Sequence, residues 1–66
     1  MKLLNKQNQP VNTGDTVRAF DGEILIITGW QEPRHTNSTG RIYTMTTDGR
    51  QIHSEYYPSV CDLRFE

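Results

Sequence analysis

Apolar and polar residues alternate along most of this chain from residue 14 onward, in short runs that match the two-residue period of β-strands. Val17 and Ala19 share one face of the first run, and Cys61, Leu63 and Phe65 share one face of the last. The predicted strands are 16–20, 23–30, 40–47, 50–54 and 60–65. Five short strands with no helical periodicity predict an all-β domain.

Turn-forming residues separate these runs. Asp21-Gly22 and Asp48-Gly49 are typical of hairpin turns, because glycine accepts the positive φ that such turns require. The polar segment 31–39 predicts the longest loop of the domain, and Pro58 interrupts the chain before the last strand. An open sheet of this size would leave one apolar face bare, so closure into a small barrel is expected.

The predicted strand at 23–30 is apolar on both faces. Ile24 and Ile26 point one way, while Leu25 and Ile27 point the other. Such a strand is either covered on both faces or bent so that it serves two sheets. We therefore expect Leu25 and Ile27 to need a partner surface, such as a second copy of the chain, which makes them a possible oligomer surface.

Residues 1–13 differ from the rest because they are polar, rich in Asn and Gln, and interrupted by Pro10. They predict a flexible leader before a domain at 14–66. Neither a secretory signal nor a membrane span is predicted, since the longest apolar run is 24–27. A cytoplasmic location is expected, as for a bacterial or phage accessory protein.

Composition and charge narrow the chemistry. The chain has 66 residues, a net charge of -1 and a single cysteine, Cys61, which excludes an intramolecular disulfide and disfavours a zinc site. His35 and His53 lie on separate segments without a partner at a diagnostic spacing. No cofactor, metal or catalytic group is expected, and Cys61 is interpreted as a small core residue.

The turns and the last strand resemble those of SH3-like small β-barrels. The matching segments are Gly14-Asp15-Thr16-Val17-Arg18, Asp21-Gly22, Gly29-Trp30, Asp48-Gly49, Tyr57-Pro58-Ser59 and, as in Tudor-type members, Val60-Cys61-Asp62-Leu63-Arg64. The resemblance implies a five-stranded barrel with a 3-10 turn at 56–59 before the last strand.

The resemblance also implies a binding surface, because SH3-like domains commonly bind partners through aromatic residues near the first loop and the 3-10 turn. We therefore expect a non-enzymatic module that recognises a protein partner, or its own copy. The expected partner-binding residues are Trp30, Tyr43, Tyr56, Tyr57, Arg34 and Arg41, together with the loop 31–41. The competing interpretation is that Trp30, Phe65 and one tyrosine fill the core.

Three alternatives stay open. A Tudor-like aromatic cage for a methylated cation would use Phe20, Trp30 and Tyr43. A KOW-like barrel would bind nucleic acid through arginines 34, 41 and 50, although eight carboxylates against five arginines from residue 14 onward make the body net acidic.

The third alternative is an oligomeric pore enzyme, because the chain also resembles type II plasmid dihydrofolate reductases. Those short SH3-like chains line a tetrameric pore with a Gln-Ile-Tyr-Pro run. Here Gln51-Ile52 is followed by His53, and Tyr57-Pro58 comes only after an insertion. The pore-mouth lysine of that family is replaced by Ala19-Phe20.

Overall fold

The computed structural model describes residues 2–34 and 39–66, and its regular elements are strands apart from one 3-10 helix. The elements are β1 (Leu3–Leu4), β2 (Thr16–Arg18), β3 (Ile24–Gln31), β4 (Arg41–Thr46), β5 (His53–Tyr56), the 3-10 helix (Pro58–Cys61) and β6 (Arg64–Phe65). The predicted all-β class is confirmed. Part of the predicted long loop, residues 35–38 with His35, lies outside the described residues.

The strands form two antiparallel sheets. Four strands pair in the order β2-β3-β4-β5, while β1 pairs with β6 in a separate two-stranded sheet. Within the described residues no strand pairing joins the two sheets, so the structure has six strands in two sheets instead of a closed ladder of five.

The turns between the strands lie at the Asp-Gly pairs that the sequence indicated. Gly22 and Gly49 have φ values of 88° in the segments that separate β2 from β3 and β4 from β5. The 3-10 helix precedes the last strand, as expected, but it begins two residues later than the predicted turn at 56–59. Pro58 explains this start, because proline fits the first helical position, where a backbone N–H has no partner.

The core lies on the inner face of the four-stranded sheet. Leu25 and Ile27 are 1% and 0% exposed, and Ile42 beside them is 0% exposed. The prediction that Leu25 and Ile27 form an oligomer surface is therefore wrong. Alternation correctly placed Leu25 and Ile27 on the other face of the strand from Ile24 and Ile26. The core, however, covers the face that was expected to need a partner.

A β-bulge divides β3. The register runs from Ile27 opposite Thr44 to Gly29 opposite Tyr43, so Thr28 has no partner on β4. The extra residue changes which side chains face the core. Leu25 and Ile27 face inward before the bulge, and Trp30, three residues after Ile27, packs against the core beyond it.

The N-terminal segment belongs to this core, so the domain does not begin at residue 14. Leu3 and Leu4 pair with β6, and Leu3 and Val11 join the buried apolar cluster. The polar residues between them form a turn, in which the Asn5 side-chain oxygen accepts hydrogen bonds from two backbone N–H groups. The expected leader, 1–13, thus contributes a strand and core side chains.

Gly40 fixes the start of β4. Its φ is 72°, and a Cβ atom at this position would lie 2.6 Å from the carbonyl oxygen of Gln31 and 2.7 Å from the ring of Phe65. No other residue type fits without displacing backbone. This close contact sets where the chain enters β4, and hence where Arg41 lies on the sheet.

We predict that Leu3→Ala lowers the free energy of unfolding by about 2–5 kcal/mol, because Leu3 is 1% exposed and its removal leaves a cavity. Urea denaturation followed by Trp30 fluorescence measures this loss. The exposed neighbouring substitution Lys2→Ala is the matched control. Equal unfolding midpoints for the two variants would show that the N-terminal strand does not stabilise the domain.

Candidate functional site: the outer face of the sheet

The outer face of the four-stranded sheet is the side away from the core. Residues directly opposite each other on paired strands share a face, so the register identifies its members. Gly29, Tyr43 and Glu55 form one row, and Gln31 and Arg41 form the next. Every outer-face residue of β2 to β5 stays at least partly exposed, so no described element covers this side.

Five residues at one end of this face form a connected group, which we call the Arg41 cluster. The Arg41 guanidinium lies 4.0 Å from the centroid of the Tyr57 ring and donates a hydrogen bond of 3.3 Å to its hydroxyl. The Arg41 Nε atom is also 3.5 Å from a carboxylate oxygen of Glu55. Tyr43 completes the group by donating a 3.4 Å hydrogen bond to the side-chain oxygen of Gln31.

These contacts contribute little to folding. The side chains of Arg41 and Glu55 are 35% and 54% exposed, and an ion pair of this kind is worth about 0–1 kcal/mol. The contacts nevertheless favour one arrangement of these side chains. A partner that binds such a group meets a lower entropic cost than one that must order free side chains.

The structure separates the aromatic residues that the sequence grouped together. Tyr43 and Tyr57 belong to the Arg41 cluster, and Tyr57 is 53% exposed. Trp30 and Tyr56 lie opposite Ile42 on the inner side, where both pack partly against the core. Only two of the four expected aromatic contact residues thus share the exposed face.

The remaining half of the outer face is apolar at its centre and polar at its edges, where Thr16, Arg18 and His53 lie. Ile26 lies opposite Met45, and both are half-buried, while Ile24 is exposed at the start of β3. The alternation of Arg41, Tyr43 and Met45 along β4 is the sequence signal for this continuous face. Sequence reasoning used the first two and included Gln31 as the start of the loop 31–41, but it missed Met45 and Glu55.

The three arginines expected for nucleic-acid binding do not form a free cationic patch. Arg41 is engaged by Glu55, and Arg50 contacts both Asp48 and Glu23. The pKa of Asp48 is lowered, most strongly by a hydrogen bond from the backbone N–H of Arg50 and further by a hydrogen bond from the Arg50 side chain. Two of the three cations are therefore offset by carboxylates, while Arg34 is exposed in the segment after β3.

The three aromatic residues considered for a methyl-cation cage do not converge. Phe20 is 85% exposed in the turn between β2 and β3. Trp30 packs toward the core, whereas Tyr43 lies on the opposite face of the sheet. A cage needs rings around one point. The structure thus excludes this set of three as a cage.

The groups considered for catalysis are also apart. Cys61 is buried in the core cluster, as predicted, and burial is the main cause that raises the pKa of its thiol. Gln51 lies between β4 and β5 with a φ of 54°, and His53 begins β5. Among residues 2–34 and 39–66, no three His, Cys, Asp or Glu side chains are grouped to hold a metal ion.

Comparisons with protein family models, curated proteins and solved structures gave no match to this chain. In the part of the chain that the structure describes, no helix has the length and apolar character needed to cross a membrane.

We predict that Cys61 of the folded protein reacts with iodoacetamide at pH 8.5 far more slowly than the same thiol in urea. Burial raises its pKa, and the nearby Asp62 and Asp21 carboxylates add to the shift, so the reactive thiolate is scarce in the native state. Mass spectrometry of the alkylated fraction over time measures both rates. Equal rates would contradict the buried position of Cys61.

Proposed function

We propose that this chain is a small non-enzymatic binding module that recognises a protein partner through the outer face of its four-stranded sheet. The observation that carries the proposal is the continuity of this face. A cluster of contacting arginine and tyrosine side chains lies directly beside the apolar residues Ile26 and Met45.

The composition of the face favours a protein over a nucleic acid. Tyrosine and arginine are the residue types enriched at binding hot spots, and apolar neighbours exclude water around them. Arg41 is already paired with Glu55, which leaves Arg18 and few other cations on this face for phosphates. A protein surface with an apolar centre and a polar rim is complementary to this arrangement.

The fold proposed for the module is an open SH3-like barrel. The resemblance of the turns and the 3-10 helix before the last strand support this assignment. In this view, the four-stranded sheet and the β1–β6 pair are the two halves of the barrel. Binding then uses the outside of one half, and the aromatic residues Trp30 and Tyr56 support the interior.

We predict that Tyr57→Ala weakens partner binding by at least about tenfold, since truncating a hot-spot aromatic residue commonly costs about 2 kcal/mol or more. Arg41→Ala is expected to act in the same direction, because Arg41 stacks on the Tyr57 ring. Affinity enrichment with immobilised variants, quantified by mass spectrometry, identifies the bound proteins, and titration with the purified partner gives the change in affinity.

Ile52→Ala is the matched control, because Ile52 is an exposed apolar residue outside the Arg41 cluster. If the partner is a second copy of the chain, light scattering will show a larger mass for the native protein and a monomer for Tyr57→Ala. Unchanged binding and unchanged mass in both Tyr57→Ala and Arg41→Ala, with folding intact, would rule out this surface.

A further inference from the structure

A cleft on another side of the molecule is a second candidate binding site. The cleft, of about 900 Å³, lies between β2 on one wall and residues 5–11 on the other. Its lining includes four core residues, each 6% exposed: Val11, Ala19, Cys61 and Leu63. It therefore combines an apolar floor with polar walls, and it shares no residue with the Arg41 cluster.

One wall of this cleft is the free edge of the four-stranded sheet. β2 pairs with β3 on one side only. The backbone hydrogen bonds from Ala19 to Glu23 and from Ile27 to Asp15 set the alternation of the ladder. In that alternation Val17 faces β3 with its N–H and C=O groups, whereas Thr16 and Arg18 direct theirs away from β3, to the open edge.

The open edge of β2 presents backbone N–H and C=O groups that can form hydrogen bonds with a ligand. Among the described residues, no backbone group of the chain pairs with the N–H and C=O groups of Thr16 or Arg18. Two donors and two acceptors thus stand along one wall of a cleft with an apolar floor. An extended peptide backbone is the ligand that matches such a row, through the addition of one strand to the sheet.

We propose that this cleft binds an extended peptide segment of another protein, which adds to β2 as an antiparallel strand. The peptide residue opposite Val17 would point to the inner side, toward the apolar floor of the cleft, because opposite residues share a face. Its two neighbours would exchange backbone hydrogen bonds with Thr16 and Arg18. An apolar residue at the central position is therefore required.

Charge sets the direction and sequence of the peptide. Asp15 and Arg18 stand at opposite ends of β2, and both line the cleft. No carboxylate of the described residues pairs with Arg18 or with Lys6 on the facing wall. An antiparallel peptide with an acidic residue opposite Arg18 and a basic residue opposite Asp15 complements both ends. The preferred order is acidic, apolar, any residue, basic.

A second copy of this chain fits the cleft less well than a peptide. The β2 edge of a copy carries its own segment 5–11 alongside, which would have to enter the cleft with it, whereas an extended peptide brings no such segment. The exposed Phe20 at the end of the cleft provides additional apolar contact for residues that continue beyond the paired strand.

The test is selection from a display library of random octapeptides on the wild-type protein, with counter-selection on Thr16→Pro. Proline removes the outward N–H of this edge residue but leaves the β2–β3 ladder intact. Thr16→Val, which keeps the N–H, is the matched control. We expect enriched peptides with the acidic-apolar-any-basic order, and affinity about tenfold weaker for Thr16→Pro than for Thr16→Val.

Hydrogen exchange and a charge reversal test the geometry. We expect the Thr16 and Arg18 amides to exchange rapidly in the free protein and slowly with a selected peptide bound, and Arg18→Glu to select a basic residue in place of the acidic one. Absence of enrichment over Thr16→Pro, or protection of both amides through dimerisation seen by light scattering, would overturn the proposal. Tyr57→Ala is expected to retain these peptides, which separates this site from the proposed outer-face site.

Discussion

The pairing of β1 with β6 is the interaction on which the rest of this structure depends. The four-stranded sheet has an apolar inner face, with Leu25 and Ile27 at its centre, and a sheet of this kind is unstable until that face is covered. The cover comes from both ends of the described chain. Backbone hydrogen bonds of 3.0 and 2.8 Å between Lys2 and Glu66 extend the pair of strands that hold the cover together.

This arrangement leaves the opposite face of the sheet free and also creates the cleft. Because the covering segments lie on one side only, Ile26, Met45 and the Arg41 cluster remain accessible on the other. Because residues 5–11 turn back beside β2 without pairing with it, a gap stays open along that strand. Both proposed binding surfaces thus follow from how the core is covered, one as the uncovered face and one as an unpaired edge.

The sequence predicted the fold class and the positions of the turns, because glycine at positive φ and strand alternation are local signals. It did not predict which face of β3 is the core, since four consecutive apolar residues supply no polar side to mark the solvent. It missed the N-terminal strand because a polar turn separates Leu3 from Val11 and interrupts any periodicity. Trp30 was assigned to the binding surface, but the bulge at Thr28 turns it inward, and a bulge of this kind has no clear signature in a single sequence.

The bulge also determines which residues in the second half of β3 face the core. Removing Thr28 would restore regular pairing with Gly29 still opposite Tyr43 and Trp30 still opposite Ile42, so the side chains after it would keep their faces. If Thr28 instead paired with Tyr43 in a strand of unchanged length, Trp30 would move opposite Arg41, on the outer face, and leave the core. The bulge therefore lets one strand place both Ile27 and Trp30 against the core, although their spacing of three residues would put them on opposite faces of a regular strand.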